Sequence, residues 1–182
     1  MKRFGLLASC LASLLVTPSF AAMKSGDPAP DFTIEAAVGG KTFTFSLAEA
    51  LKRGPVVLYF YPKSYTKGCT IEAHEFADAA EKFKAAGASL IGVSRDTIDT
   101  QIKFSSEGCR DKFPVGADPT LKVIRAYDAQ RIAPTPQGAE LAERISYVIA
   151  PPSKIIYVYA DPAPDKHIEN TLAAVRQWAH DH

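Results

Sequence analysis

Cysteine is the residue type in this sequence with the widest choice of chemistry, and it occurs at positions 10, 69 and 109. A cysteine thiolate is a nucleophile and a soft metal ligand, and two thiols can be oxidised to a disulfide. A segment with the pattern of a buried strand and then a loop precede Cys69, and a segment with helical spacing follows it. This position favours a reactive Cys69, although a free cysteine is more often a small buried apolar residue.

Cys69 is predicted to lie in the first turn of a helix. If Thr66 is the N-cap, Cys69 is the third helical residue, where unpaired backbone N–H groups and the helix dipole favour a thiolate. Pro62 fixes the loop before this helix. Glu72 lies within about 60° of Cys69 around the helix and can share its pocket, whereas His74 lies about 140° away and is poorly placed to act as its base.

The elements that position these residues alternate in the way an α/β domain does. Apolar runs predict strands, and helical spacing predicts helices after Cys69 and near the C-terminus. Alternation around two glycines predicts an N-terminal β-hairpin over residues 31–45. The expected fold is therefore a single α/β domain in which helices flank a central mixed sheet. The predicted strands are 56–61, 89–93, 145–149 and 155–159, and the shorter helices are 97–107 and 120–127.

The first 21 residues have the pattern of a signal peptide. A basic start precedes an apolar run, and Ser19 and Ala21 suit the small-residue positions of a cleavage site. The run is shorter than the roughly 18 apolar residues of a spanning helix, so a retained membrane anchor is the less favoured alternative. We expect residues 1–21 to be removed and residues 22–182 to form one domain, periplasmic or secreted and without membrane attachment.

The charge balance excludes some classes of partner. Removing residues 1–21 takes away Cys10 and two basic residues, which leaves 19 basic residues, 20 acidic residues and two cysteines in 161 residues. A chain this close to neutral has no clustered basic excess, so nucleic acid and anionic membrane surfaces are not expected partners. About 160 residues bury a sizeable core without a disulfide, so Cys69 and Cys109 need another explanation.

Motifs around Cys69 resemble those of the peroxiredoxins. The active-site pattern Pro62-x-x-x-Thr66-x-x-Cys69 is present, and residues 59–63 and 68–72 are similar to the peroxiredoxin Q, or bacterioferritin comigratory protein, branch. Further similarity covers nearly the whole chain after residue 21. The resemblance implies a thioredoxin-like fold and the thiol-dependent reduction of hydrogen peroxide and organic hydroperoxides, with no cofactor and no metal.

The resemblance also implies a role for each residue of the site. It makes Cys69 the peroxidatic thiol, which becomes a sulfenic acid, and it makes Glu72 the residue that orients an arginine. The pocket around the thiol is completed by Pro62, Thr66 and Arg144. A guanidinium stays charged and presents several donors, so Arg144 can hold the thiolate and polarise the peroxide. The implied reductant is a thioredoxin-like or glutaredoxin-like protein.

The second thiol departs from the pattern of many relatives in this branch. They have the resolving cysteine five residues after the peroxidatic one, where this chain has His74. Other members have it in the next helical region, where Cys109 lies. We expect an intrachain Cys69–Cys109 disulfide that requires local unwinding of the first turn around Cys69, because a disulfide needs Cα atoms about 4.4 to 6.8 Å apart. A one-cysteine mechanism with an inert Cys109 is the alternative.

Two other functions remain open on the same fold. A periplasmic copper-binding protein would use both cysteines and a histidine as soft ligands. A thiol-disulfide redox protein is the other alternative, although the sequence lacks the Cys-x-x-Cys pair that favours it. His167, His180 and His182 come late in the chain and are predicted to be solvent-exposed. The expected oligomeric state is a monomer.

Overall fold

The computed structural model describes residues 22–132 and 138–182, so the predicted signal peptide lies outside the described residues. No helix in these two ranges is long and apolar enough to cross a membrane. In chain order the elements are β1 (Thr33–Val38), β2 (Lys41–Ser46), α1 (Leu47–Leu51), β3 (Val56–Phe60), α2 (Lys67–Ala85), β4 (Ser89–Ser94), α3 (Ile98–Glu107), β5 (Val115–Ala117), α4 (Lys122–Ala126), β6 (Gln130–Ile132), β7 (Glu140–Ala142), β8 (Ile145–Ala150), β9 (Lys154–Ala160) and α5 (His167–Asp181).

Seven of these strands form one mixed sheet in the order β2-β1-β5-β4-β3-β8-β9. β3, β4 and β5 are parallel, whereas β8 is antiparallel to β3 and β9 is antiparallel to β8. The hairpin β1–β2 turns at Gly39 and Gly40, whose φ angles of 56° and 73° favour glycine. The predicted mixed sheet and N-terminal hairpin are confirmed.

The inner strand β3 is buried along its whole length because apolar side chains cover both faces of the sheet. Val57 and Tyr59 belong to the cluster that includes the buried face of α2. Leu58 and Phe60 belong to the cluster on the opposite face, with residues of α1 and α4. Packing on both sides fixes the end of β3, where the loop to Cys69 begins.

Four short elements lack a counterpart among the predicted ones. They are α1, β5, β6 and β7, and each has only three to five residues. Such lengths are too short for a hydrophobic period to be recognised. β5 nevertheless joins the hairpin to the rest of the sheet, because it pairs with both β1 and β4.

The antiparallel register of β8 brings distant parts of the chain to the end of β3. Phe60 at the end of β3 pairs with Ile145, and Ile145 also pairs with Ala160 at the end of β9. Arg144, which precedes β8, therefore lies between the loop that follows β3 and the residues that follow β9.

Candidate active site

Cys69 lies in the first turn of α2, as the sequence predicts. Thr66 is the N-cap, with extended backbone angles, and Cys69 is the third residue of the helix. The first helical hydrogen bond runs from the N–H of Thr70 to the carbonyl of Thr66, at 2.9 Å. The N–H groups of residues 67–69 thus precede the ladder of the helix and, with the helix dipole, favour negative charge at Cys69.

Arg144 contacts the thiol directly and is almost completely buried, with 7% of its surface exposed. Its Nη2 donates to Cys69 Sγ at 3.4 Å, and its Nη1 donates to Glu72 Oε2. Its Nε donates to the carbonyl of Pro162 at 2.9 Å. The guanidinium is therefore held on three sides, in a geometry that suits charge-assisted hydrogen bonds.

Glu72 is fully buried behind Arg144. Burial raises the pKa of Glu72 to about 8, although the charge and the hydrogen bond of Arg144 act in the opposite direction. Burial acts to lower the pKa of Arg144, but Glu72 and Cys69 raise it above its ordinary value, so the guanidinium stays charged. The site therefore holds one buried cation against a carboxyl group and a thiol.

Pro62 lies in the loop before α2, and Thr66 lies at the start of that helix. The Thr66 hydroxyl does not cap α2, because it donates instead to the carbonyl of Lys63 at 3.0 Å. A hydroxyl hydrogen rotates, so this group can exchange the loop carbonyl for another acceptor. Pro62 is half-buried and follows the end of β3 by two residues.

A buried polar network that the sequence analysis missed holds the loop before Cys69. The Tyr61 hydroxyl donates to Gln101 Oε1 at 2.9 Å, and the N–H of Ser64 donates to Asp96 Oδ2 at 2.7 Å. Gln101 Nε2 also donates to Ser94 Oγ at 2.8 Å. The sequence shows polar residues after a buried strand, but it does not show their hydrogen-bond partners, which lie on other elements.

The second cysteine lies in the same apolar cluster as the first. Cys109 is fully buried, and the cluster that contains both cysteines also includes Tyr59, Tyr61 and Phe104. Both cysteines are free thiols. Burial raises the pKa of Cys109 above its ordinary value, so this residue is held as the neutral thiol in its buried position.

The histidines divide into two groups. His180 and His182 are exposed, as predicted, but the prediction for His167 is wrong, because this side chain is fully buried. His74 is half-buried on α2. Within residues 22–132 and 138–182, no group of three or more histidine, cysteine, aspartate or glutamate side chains is arranged to hold a metal ion.

Comparison with known proteins agrees with this geometry. The profile of the AhpC/TSA family matches residues 25–158 of the chain. The chain belongs to the AhpC/TSA family. Chloroplastic peroxiredoxin Q from Triticum aestivum is 34% identical to it over 155 residues, which are 85% of this chain and 67% of that protein.

Two solved structures resemble this AhpC/TSA-family chain along most of its length. Peroxidoxin BcpB from Mycobacterium tuberculosis has a TM-score of 0.75 and 32% identity, over 85% of this chain and 97% of that one. A mutant of PrxQ from Xylella fastidiosa has a TM-score of 0.76 and 25% identity, over 89% and 99% of the two chains. The thioredoxin-like fold, the resemblance to peroxiredoxin Q and the thiol-dependent peroxidase activity are confirmed.

Proposed function

We propose that Cys69 carries out the peroxidase reaction of this chain on hydrogen peroxide and organic hydroperoxides. The observation that carries the proposal is the 3.4 Å contact between Cys69 Sγ and Arg144 Nη2 at the start of α2. The thiolate attacks one peroxide oxygen, so an S–O bond forms with an electron pair of the sulfur while the O–O bond breaks. The leaving oxygen takes a proton and departs as an alcohol or as water.

The donors around Cys69 fit the charge that develops in this step. Arg144 can stabilise the thiolate before attack and the leaving oxygen during it. Glu72 and the carbonyl of Pro162 hold the guanidinium beforehand, so little reorganisation is needed. The Thr66 hydroxyl can donate a further hydrogen bond to the peroxide, while Pro62 fixes the loop and offers no competing N–H.

Peroxide consumption with dithiothreitol as reductant tests the role of Cys69. We expect the intact protein to consume hydrogen peroxide and cumene hydroperoxide, and Cys69→Ser to lose this activity. Cys109→Ser is the matched control, since dithiothreitol can reduce a sulfenic acid at Cys69 without a second protein thiol. Retained activity in Cys69→Ser would overturn the proposal.

Cys109 is our proposed resolving residue. Its thiol condenses with the Cys69 sulfenic acid, so an S–S bond forms and water leaves. The common apolar cluster supports this pairing. The backbone after Cys109 also supports it, because Arg110 and Asp111 have φ angles of 52° and 61°, a left-handed conformation that costs about 1–2 kcal/mol for a residue such as Arg110. Unwinding of this segment would release that strain as the thiols approach each other.

Mass spectrometry under non-reducing conditions tests the disulfide. After one equivalent of peroxide, the wild type should yield a linked pair of peptides that contain Cys69 and Cys109. Cys109→Ser should instead retain a sulfenic acid at Cys69, which dimedone traps. A dimedone adduct in the wild type at the same yield as in the variant would favour the one-cysteine mechanism instead.

The location and the partners complete the proposal. We infer that residues 1–21 are cleaved and that the domain works as a monomer in the periplasm or outside the cell, where a thioredoxin-like or glutaredoxin-like protein reduces the disulfide. The basic start, the apolar run and the small residues near position 21 support this inference. The N-terminal sequence and the mass of the protein recovered outside the cytoplasm test it. No observation in the described ranges favours a copper site.

A further inference from the structure

The ring of His167, a buried histidine beside the Glu72–Arg144 pair, has both nitrogens engaged. Nε2 lies 2.9 Å from the carbonyl of Asp161, and Nδ1 lies 2.8 Å from the hydroxyl of Ser146. A carbonyl only accepts, so Nε2 carries the hydrogen. Burial lowers the pKa of His167, and the charge of Arg144 lowers it further, so the ring is neutral and Nδ1 accepts from Ser146.

Two groups that accept hydrogen bonds from Arg144, the carbonyl of Pro162 and the carboxyl of Glu72, depend on the His167 ring. The carbonyls of Asp161 and Pro162 are consecutive; the first accepts from His167, and the second accepts from Arg144 Nε at 2.9 Å. His167 therefore fixes the short segment on which the guanidinium rests.

The second group is the Glu72 carboxyl. Its Oε1 lies 3.9 Å from Nδ1 of His167 and has no hydrogen-bond partner among the residues that the structure describes. A neutral ring with an accepting Nδ1 offers no hydrogen to this oxygen. The hydrogen-bond donor that pairs with Glu72 is therefore Arg144 and not His167.

We propose that His167 is a positioning residue for Arg144, which it holds against Cys69 by fixing the carbonyls after β9 and by leaving Glu72 free to pair with the arginine. The inference rests on the proposed roles of Cys69 and Arg144 in peroxide reduction. A role in packing alone is the competing interpretation, because His167 also makes an edge-on contact with Tyr159, at 4.8 Å between ring centroids.

A double-mutant cycle between positions 167 and 144 separates the two interpretations. The readout is the rate of the first reaction between the reduced protein and hydrogen peroxide, measured for folded protein with thermal unfolding as a check. His167→Leu should react about ten- to a hundredfold more slowly than the wild type, because a displaced donor costs rate on this scale. In an Arg144→Lys background the same change should cost less than about twofold, because the two residues act together.

Two other variants serve as a rescue and a control. His167→Gln can still donate to the carbonyl of Asp161, so it should recover much of the rate that His167→Leu loses. His180→Leu changes an exposed histidine on the same helix and should react at the wild-type rate. If His167→Leu does not fold, His167→Phe replaces it in the cycle, because phenylalanine keeps an aromatic ring beside Tyr159 but cannot donate to the carbonyl of Asp161.

The possible results separate the inference from the proposed function. A wild-type rate in His167→Leu, or an equal loss in both Arg144 backgrounds, would overturn the positioning role while the role of Cys69 stands. A wild-type rate in Arg144→Lys would overturn the proposed role of the arginine, and the inference would fail with it. Failure of the wild type to react through Cys69 would overturn the proposed function itself.

Discussion

Gly68 offers a sharp test of the place of Arg144, because it precedes Cys69 and lies against the guanidinium. A Cβ at this position would lie 3.1 Å from Arg144 Nη2, closer than ordinary van der Waals contact. Gly68 is not one of the glycines with positive φ, so its backbone accepts an L side chain. Gly68→Ala therefore adds one methyl group, and the steric cost falls on a single functional contact.

The expected effects on activity and on stability have opposite signs. The guanidinium must move by a few tenths of an ångström, which weakens its 3.4 Å hydrogen bond to Cys69 Sγ. Hydrogen bonds to charged groups contribute about 1.5–3 kcal/mol, so losing about half of one slows the reaction about three- to tenfold. Alanine in place of a helical glycine stabilises a helix by about 0.5–1 kcal/mol, so the variant should unfold at an equal or higher temperature.

Stopped-flow mixing of reduced Gly68→Ala with excess hydrogen peroxide measures the first effect, and thermal unfolding measures the second. His74→Ala is the control, since it changes a half-buried side chain on the same helix and should leave the rate unchanged. A wild-type rate in Gly68→Ala would refute the reasoning about Arg144. A loss of rate that comes with a loss of stability would show that the methyl group disturbs the helix instead.

Three other variants test the charge, the second thiol and the scaffold. Because burial raises the pKa of Glu72 to about 8 from 4.5, the stability it contributes is fully present below about pH 4.5 and is lost as the pH rises through about 8. Urea titrations should therefore show that the free energy of unfolding of the wild type falls relative to that of Glu72→Gln between about pH 4.5 and about pH 8. Parallel pH profiles for the two proteins would contradict this prediction. Asp78→Asn weakens the exposed 2.7 Å ion pair to Arg110 and should speed disulfide formation by up to about twofold in quenched-flow assays, whereas slower formation would argue against unwinding near Cys109. Gly54→Ala meets the carbonyl oxygen of Gly87 at a φ of 136° and should cost at least about 2 kcal/mol in urea unfolding, with the peroxide rate of the folded protein unchanged; an unchanged unfolding midpoint would contradict this.

The local parts of the site could be predicted because their signals are local. A buried strand, a loop with Pro62 and a helix start at Thr66 place Cys69 in the first turn from neighbouring residues alone. Arg144 lies 75 residues away, and only the resemblance to peroxiredoxins indicated its place. The register between β3 and β8, with Phe60 opposite Ile145, explains that placement physically.

The parts that could not be predicted depend on tertiary contacts. The sequence predicts an exposed His167, but this side chain is buried, and Ser146 and Asp161 satisfy both of its ring nitrogens. The network around Gln101 is similar, since its partners come from the ends of different strands. Strand β5 is too short to show a period and owes its conformation to β1 and β4 on either side.

A single turnover of the reduced protein tests the role of Cys69 most directly. The protein is mixed with one equivalent of hydrogen peroxide without reductant, residual peroxide is measured, and the oxidised peptides are mapped by mass spectrometry. We predict that each chain consumes one peroxide, that Cys69 is the residue oxidised first, and that Cys69→Ser leaves the peroxide unconsumed on the same time scale. Peroxide loss at the wild-type rate in Cys69→Ser, or oxidation of Cys109 while Cys69 stays reduced, would contradict this account.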